Sequence, residues 1–278
     1  MQQIDIKNPF NAPVYHENTV VSTMDISRSL ALQDEPHGTV IIADFQEAGR
    51  GRVKDRSWET EREESLLFTI LLRYPNFACL PPALTLRTGL ATALAVEDFA
   101  PALANMVMIK WPNDILVTNS AFPHLRENKF GIKAKKIAGI LTEADGGNVH
   151  IGIGVNVSQK QFPDGLQEKA VSISLAAGTD IEKGGRFSLL EKILLRLHEE
   201  IETPGAAGSV PPQWQRRIEE RLYKKGGRVC FTQGAVGSGK TVSGILAGIG
   251  LGGELLIIPD GETEPKSFVS GEVNFFDH

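Results

Sequence analysis

Apolar residues fall along this chain in two recognisable periods. GTVIIADF (38–45) and SLLFTILLR (65–73) are near-continuous apolar runs rich in β-branched residues, which predicts two buried strands. PALTLRTGLATALAVEDF (82–99) is long and mostly apolar, and predicts a helix. FSLLEKILLRLHEEI (187–201) spaces leucine and isoleucine at helical intervals, so it predicts an amphipathic helix, and PQWQRRIEERLY (212–223) predicts another. STMDISRSLALQ (22–33) reads as a short helix whose Ser22 and Asp25 have the spacing of a capping box. VMIKWPNDILV (107–117) reads as two short strands broken at Pro112, because proline removes a ladder donor. KIAGILTEAD (136–145) and NVHIGIGVNV (148–157) read as a hairpin turning at Gly146-Gly147.

Between these elements, 46–58, 118–135 and 203–212 have no apolar periodicity and read as loops, with 118–135 a surface insertion. From Gly226 onward the chain changes character. The short β runs RVCFT, TVSGILAGI, ELLIIP, KSFVS and EVNFF are separated by glycine, which suggests a small all-β barrel. The division expected is therefore 1–223 for a larger domain and 224–278 for the barrel.

Composition narrows the function classes. The 278 residues are 41% hydrophobic and 23% charged, an ordinary balance for a domain with a sizeable core. The net charge of −5 lacks the basic excess of a general nucleic-acid binder. Cys79 and Cys230 lie far apart, which argues against a disulfide or zinc site and fits a reducing cytoplasm. The start, MQQIDIKNPF, has no signal-peptide pattern, and no apolar run reads as a membrane span.

Two stretches invite a phosphate. GAVGSGKT (234–241) matches the P-loop pattern and follows a β run. A P-loop lysine, however, opens a helix, and Thr241 is followed by VSGILAGIGLGGE. Each glycine there would cost a helix interior about 1 kcal/mol, and the 37 residues that follow are few for such a domain. A hairpin turn with Lys240 in solvent is the preferred reading, with a P-loop nucleotide-binding protein using Lys240 as the alternative. The second stretch is Gly49-Arg50-Gly51-Arg52, where glycine lets amides approach an anion and two arginines match carboxylate or phosphate geometry. KWPND (110–114), the lysines at 135–136, and Gly152 and Gly154 in IGIGVN add further polar or bare positions.

Taken together, STMD (22–25), QEAGRGR (46–52), KWPND (110–114), KKIAGIL (135–141) and IGIGVNV (151–157) resemble the biotin protein ligase family in order and approximate spacing. The resemblance runs from about residue 14 into the glycine-rich C-terminal part. It implies an α+β fold, a mixed β-sheet with helices like the class II aminoacyl-tRNA synthetases, followed by an SH3-like barrel. It implies formation of biotinyl-5′-AMP from biotin and ATP with Mg²⁺, then transfer of biotin to a lysine of a carboxylase's biotin carboxyl carrier domain. By resemblance, Lys136, Arg50 and Arg52 are the catalytic residues. Ser22, Thr23, Met24, Gln46, Arg50, Gly51, Arg52, Lys136 and Gly139 would contact biotin. Gly49, Arg50, Arg52, Trp58, Asn113, Asp114, Lys136 and Asn156 would contact ATP, with Asp114 near its magnesium and Trp58 stacked on adenine. Because the motifs begin by residue 22, no DNA-binding domain is expected; a homodimer is allowed for. A lipoate ligase shares the architecture and stays as a second reading, and a non-catalytic sensor of biotin is a third.

Overall fold

The computed structural model describes residues 1–51, 58, 61–118, 134–182, 184–202, 212–234 and 239–275. The strands are β1 (Gln2–Ile4), β2 (Val14–Glu17), β3 (Thr39–Ala43), β4 (Ser65–Arg73), β5 (Val107–Lys110), β6 (Asp114–Thr118), β7 (Ala134–Asp145), β8 (Asn148–Asn156), β9 (Arg228–Gln233), β10 (Thr241–Ile249), β11 (Leu255–Pro259), β12 (Lys266–Phe268) and β13 (Gly271–Phe275). The α-helices are α1 (Thr23–Leu32), α2 (Leu84–Phe99), α3 (Ile173–Ala177), α4 (Gly185–Glu202) and α5 (Gln213–Glu220).

Among the described residues, eight strands form one sheet in the order β1-β2-β3-β4-β8-β7-β6-β5. It is mixed, since β2 and β3 run parallel and the other neighbours antiparallel. The apolar runs at 39–43 and 65–73 are strands with nearly every residue buried, because both faces of the sheet are covered. Helix α1 packs over β3, β4 and β8. Helices α2 and α4 pack against each other on the opposite face, where α2 reaches β5, β6 and β7. Strand alternation sorts the side chains between the two faces. On β7, Thr142 meets Thr85 of α2 at 3.0 Å, while across the sheet Gly152 of β8 lies under Met24 of α1.

The segment Phe77–Phe99 is long and apolar enough to cross a membrane by composition, contrary to the sequence reading. Most of α2 is buried against the sheet and α4, so its hydropathy reflects a core helix. The expected insertion also shifts at its ends. Thr118 closes β6 and Ala134 and Lys135 open β7, while 119–133 lie outside the described residues. Strands β1 and β2 and the short helix α3 carried no periodic signal: β1 is an exposed polar edge strand, and β2 follows Pro13 directly.

The last five strands form an antiparallel sheet, β12-β11-β10-β9-β13. It is strongly curled. Phe231 of β9 and Phe268 of β12 have ring centroids 4.6 Å apart although β10 and β11 lie between their strands. A flat sheet would hold them about 14 Å apart. Thr241 opens β10 and pairs with Thr232 of β9, so the GAVGSGKT stretch joins two strands of a hairpin, and Lys240 is exposed. Residues 235–238 of that stretch lie outside the described residues.

A buried polar pair ties α1 to the sheet: Ser27 Oγ lies 2.8 Å from His150 Nδ1, and both residues are almost fully buried. Burial is the main cause that lowers the His150 pKa below its ordinary 6.5, and the Arg28 charge adds to it against a pull from Asp145. The unfolded chain then takes up the proton first as pH falls. Stability is full above pH ~6.5 and should decline as pH drops below it. Melting temperatures between pH 7.5 and 5 should show this slope, and His150→Gln should flatten it.

Candidate active site

The cleft opens on the α1 face of the central strands. Gly139 of β7 and Gly154 of β8 are direct cross-strand partners, as are Leu141 and Gly152. Three bare Cα positions therefore lie close together on one face, with Leu67, Phe68, Ile140 and Ile153 beneath and beside them. Ser22, Thr23 and Met24, at the start of α1, form one wall. Gln46, Arg50, Gly51 and Trp58 form another, and Asn113 and Lys136 line the far end.

One end of the cleft is polar. The Thr23 amide donates to Gln46 Oε1 at 2.7 Å and the Thr23 hydroxyl donates to the same oxygen at 3.1 Å. The Thr69 hydroxyl donates to Thr23 Oγ1 at 2.8 Å. Ser22 caps α1 by accepting the Met24 amide at 3.3 Å, so its hydroxyl is fixed at the same place. Met24 is 3% exposed, and its sulfur sits where a Cβ on Gly152 would come within 3.0 Å.

The other end is charged. Lys136 Nζ lies 2.6 Å from Asp114 Oδ1. How a strand residue three positions from Gly139 reaches the same face is a matter of register. Along β6–β7, Ile115 pairs with Ala138 but Leu116 pairs with Lys136, so Ile137 is an extra residue. This bulge shifts the alternation by one and turns Lys136 into the cleft. Asn113 holds the adjacent turn, donating from Nδ2 to the Ile140 carbonyl at 2.7 Å and accepting the Ile140 amide on its own carbonyl at 3.0 Å. Arg50 faces Asp25, donating to its two carboxylate oxygens at 2.8 and 2.7 Å.

Trp58 lies in the middle. Its amide donates to the Gly49 carbonyl at 3.1 Å. Its ring covers the glycines, where a Cβ on Gly154 would fall 2.9 Å from the indole, and it stands 5.5 Å from Lys136 Nζ. The indole Nε1 is buried with no hydrogen-bond partner among the described residues. With Trp58 in place the cleft measures about 70 Å³, against roughly 300–1,000 Å³ for small-molecule pockets. A ligand must displace this ring to lie on the glycine surface.

Ser22, Thr23, Met24, Gln46, Arg50, Gly51, Trp58, Asn113, Lys136 and Gly139 are thus brought together, with Asp114 reaching the site through Lys136 and Gly49 through Trp58. Arg52 lies outside the described residues. Asn156, expected beside ATP, is 4% exposed and its side chain is used inside the fold: Nδ2 donates to the Val171 carbonyl and Oδ1 accepts from Gln159. Its place at the end of an apolar strand gave no hint of that burial. Sequence reasoning missed Thr69 and Asp25. The lone threonine in SLLFTILLR was a signal for a buried hydroxyl with a partner. Asp25 was hidden by its capping-box spacing.

Comparison with known proteins places residues 18–158 under the model of the biotin/lipoate A/B protein ligase family. The bifunctional ligase/repressor BirA of Bacillus subtilis (strain 168) is 35% identical over 189 residues, 66% of this chain and 51% of that protein. The biotin–[acetyl-CoA-carboxylase] ligase of Mycobacterium tuberculosis is 31% identical over 140 residues, 49% of this chain and 45% of that protein. The chain thus spans about half the length of these relatives. Among solved structures, the biotin protein ligase from Aquifex aeolicus in complex with biotin and ATP superposes with a TM-score of 0.72 at 26% identity, covering 94% of this chain and 97% of that one.

Proposed function

Because this chain belongs to the biotin/lipoate A/B protein ligase family, we propose that it is an ATP-dependent biotin protein ligase. In the first step a biotin carboxylate oxygen attacks the α-phosphorus of ATP, the bond to the β-phosphate oxygen breaks, and pyrophosphate leaves. In the second, the amine of a carrier-domain lysine attacks the acyl carbon of biotinyl-5′-AMP, loses a proton, and AMP leaves. The acceptor is proposed to be the biotin carboxyl carrier domain of a carboxylase. Residues 1–223 would carry the chemistry and 224–278 the accompanying barrel.

The observation that carries this reading is the cleft's two unlike ends. The Thr23–Gln46–Thr69 cluster offers fixed donors and acceptors to a ureido ring, and the glycine surface gives a fused bicyclic system room. At the other end Lys136 places one positive charge where a carboxylate and a phosphate must meet. A lipoyl ring has no hydrogen-bonding edge to match the polar end, so biotin is favoured. Asp114 keeps Lys136 in place, and magnesium would arrive with ATP, held by phosphate oxygens with at most this carboxylate. Trp58, once displaced from the glycines, is the aromatic face available to adenine.

ATP–pyrophosphate exchange tests the reading. Exchange is expected with biotin present and not without it, and Lys240→Ala should leave the rate unchanged. Exchange supported by lipoate but not biotin would change the substrate. Silence with both, together with nucleotide binding lost in Lys240→Ala, would move the function to the C-terminal hairpin.

A further inference from the structure

The first turn of α1 sends Ser22, Thr23 and Met24 into the cleft, and the next residue, Asp25, engages the segment that crosses over it. In a capping box an acid at this position returns to the amide of the capping residue. Here the carboxylate takes both contacts from Arg50 Nη2, at 2.8 and 2.7 Å, and a third from Arg28 Nη1 at 3.1 Å. Arg28 in turn pairs with Glu143 of β7, so Asp25 is braced from the sheet side. Thr23 already holds Gln46. The segment 46–51 is therefore fastened to one helical turn at both ends, by Thr23 through Gln46 and by Asp25 through Arg50.

Between those fastenings the backbone carries Gly49, and Gly51 follows directly. Glycine leaves such a turn more conformational freedom than any other residue. A ligand that needs the turn over the cleft must otherwise supply the ordering free energy when it binds. We infer that Asp25 is a positioning residue for the proposed ligase reaction: it tethers Arg50, holds the 49–51 turn beside the cleft, and neutralises the Arg50 guanidinium so that this side chain is not the phosphate ligand. The inference rests on reading the cleft as the biotin–ATP site.

The test is a double-mutant cycle of Asp25→Asn and Arg50→Gln, with Asp25→Glu as the conservative variant, read by biotin-dependent pyrophosphate exchange at saturating ATP. Asp25 and Arg50 are 38% and 44% exposed at the side chain, so the expected rise in KM for biotin is up to about fivefold, with kcat little changed. Asp25→Glu should restore most of it, and the double variant should be no worse than either single one. Additive losses in the double variant, or a lowered melting temperature with KM unmoved, would overturn the tether. No exchange by the wild-type protein would instead sink the ligase reading, and this role with it.

Discussion

Lys136→Met should lower biotin-dependent ATP–pyrophosphate exchange by about 10²–10³-fold, the worth of one well-placed donor to developing charge. Most of the loss should fall on kcat, because the ammonium matters most as charge gathers around the α-phosphorus. Folding should be nearly untouched. Lys136 and Asp114 are 35% and 28% exposed at the side chain, and an ion pair that open to water contributes under about 1 kcal/mol. Methionine keeps most of the length and removes the charge, so circular dichroism and melting should match the wild type. Exchange within tenfold of normal would show that the ammonium at the end of the cleft is not the group that stabilises the transition state.

Gly154→Val should weaken biotin binding by about 10–100-fold, as added bulk in a filled space costs about 1–3 kcal/mol. Valine suits a strand interior, so the backbone of β8 has no reason to move. Its side chain would stand on the glycine surface opposite Gly139 and meet the Trp58 indole, already 2.9 Å from the first added carbon. Calorimetric titration of biotin reads the effect, and thermal melting checks the fold. Undiminished affinity in a stably folded variant would place the ligand elsewhere.

Much of this site was legible because the motif residues lie on elements with a strong period. SLLFTILLR and IGIGVNV announce the two central strands, and the glycines at 152 and 154 announce a bare face. What sequence could not give was phase. Lys136 and Gly139 are three apart and would face opposite sides of an ideal strand; the extra residue at Ile137 puts them together. Nor did it give the destination of polar side chains. Asp25 satisfies a local capping pattern and serves a distant arginine instead, while Asn156 resembles a ligand contact and is consumed by Val171 and Gln159. The partner of Arg50 was equally out of reach, because its pairing with Asp25 depends on how α1 crosses the sheet.

The link between the two sheets has a meaning for how the protein is made. Trp111 Nε1 donates to the Gly253 carbonyl at 3.0 Å, across 142 residues of chain, and its ring packs edge-on to Phe231. Two positions after Trp111 comes Asn113, which holds the far end of the cleft. On a ribosome, the residues that build the main sheet emerge well before Gly253 does. The aromatic neighbour Phe231 emerges after all of those residues, and the hydrogen-bond acceptor Gly253 later still. A nascent chain thus carries every residue of the cleft before Trp111 has its acceptor, and this link is among the last long-range contacts it can make.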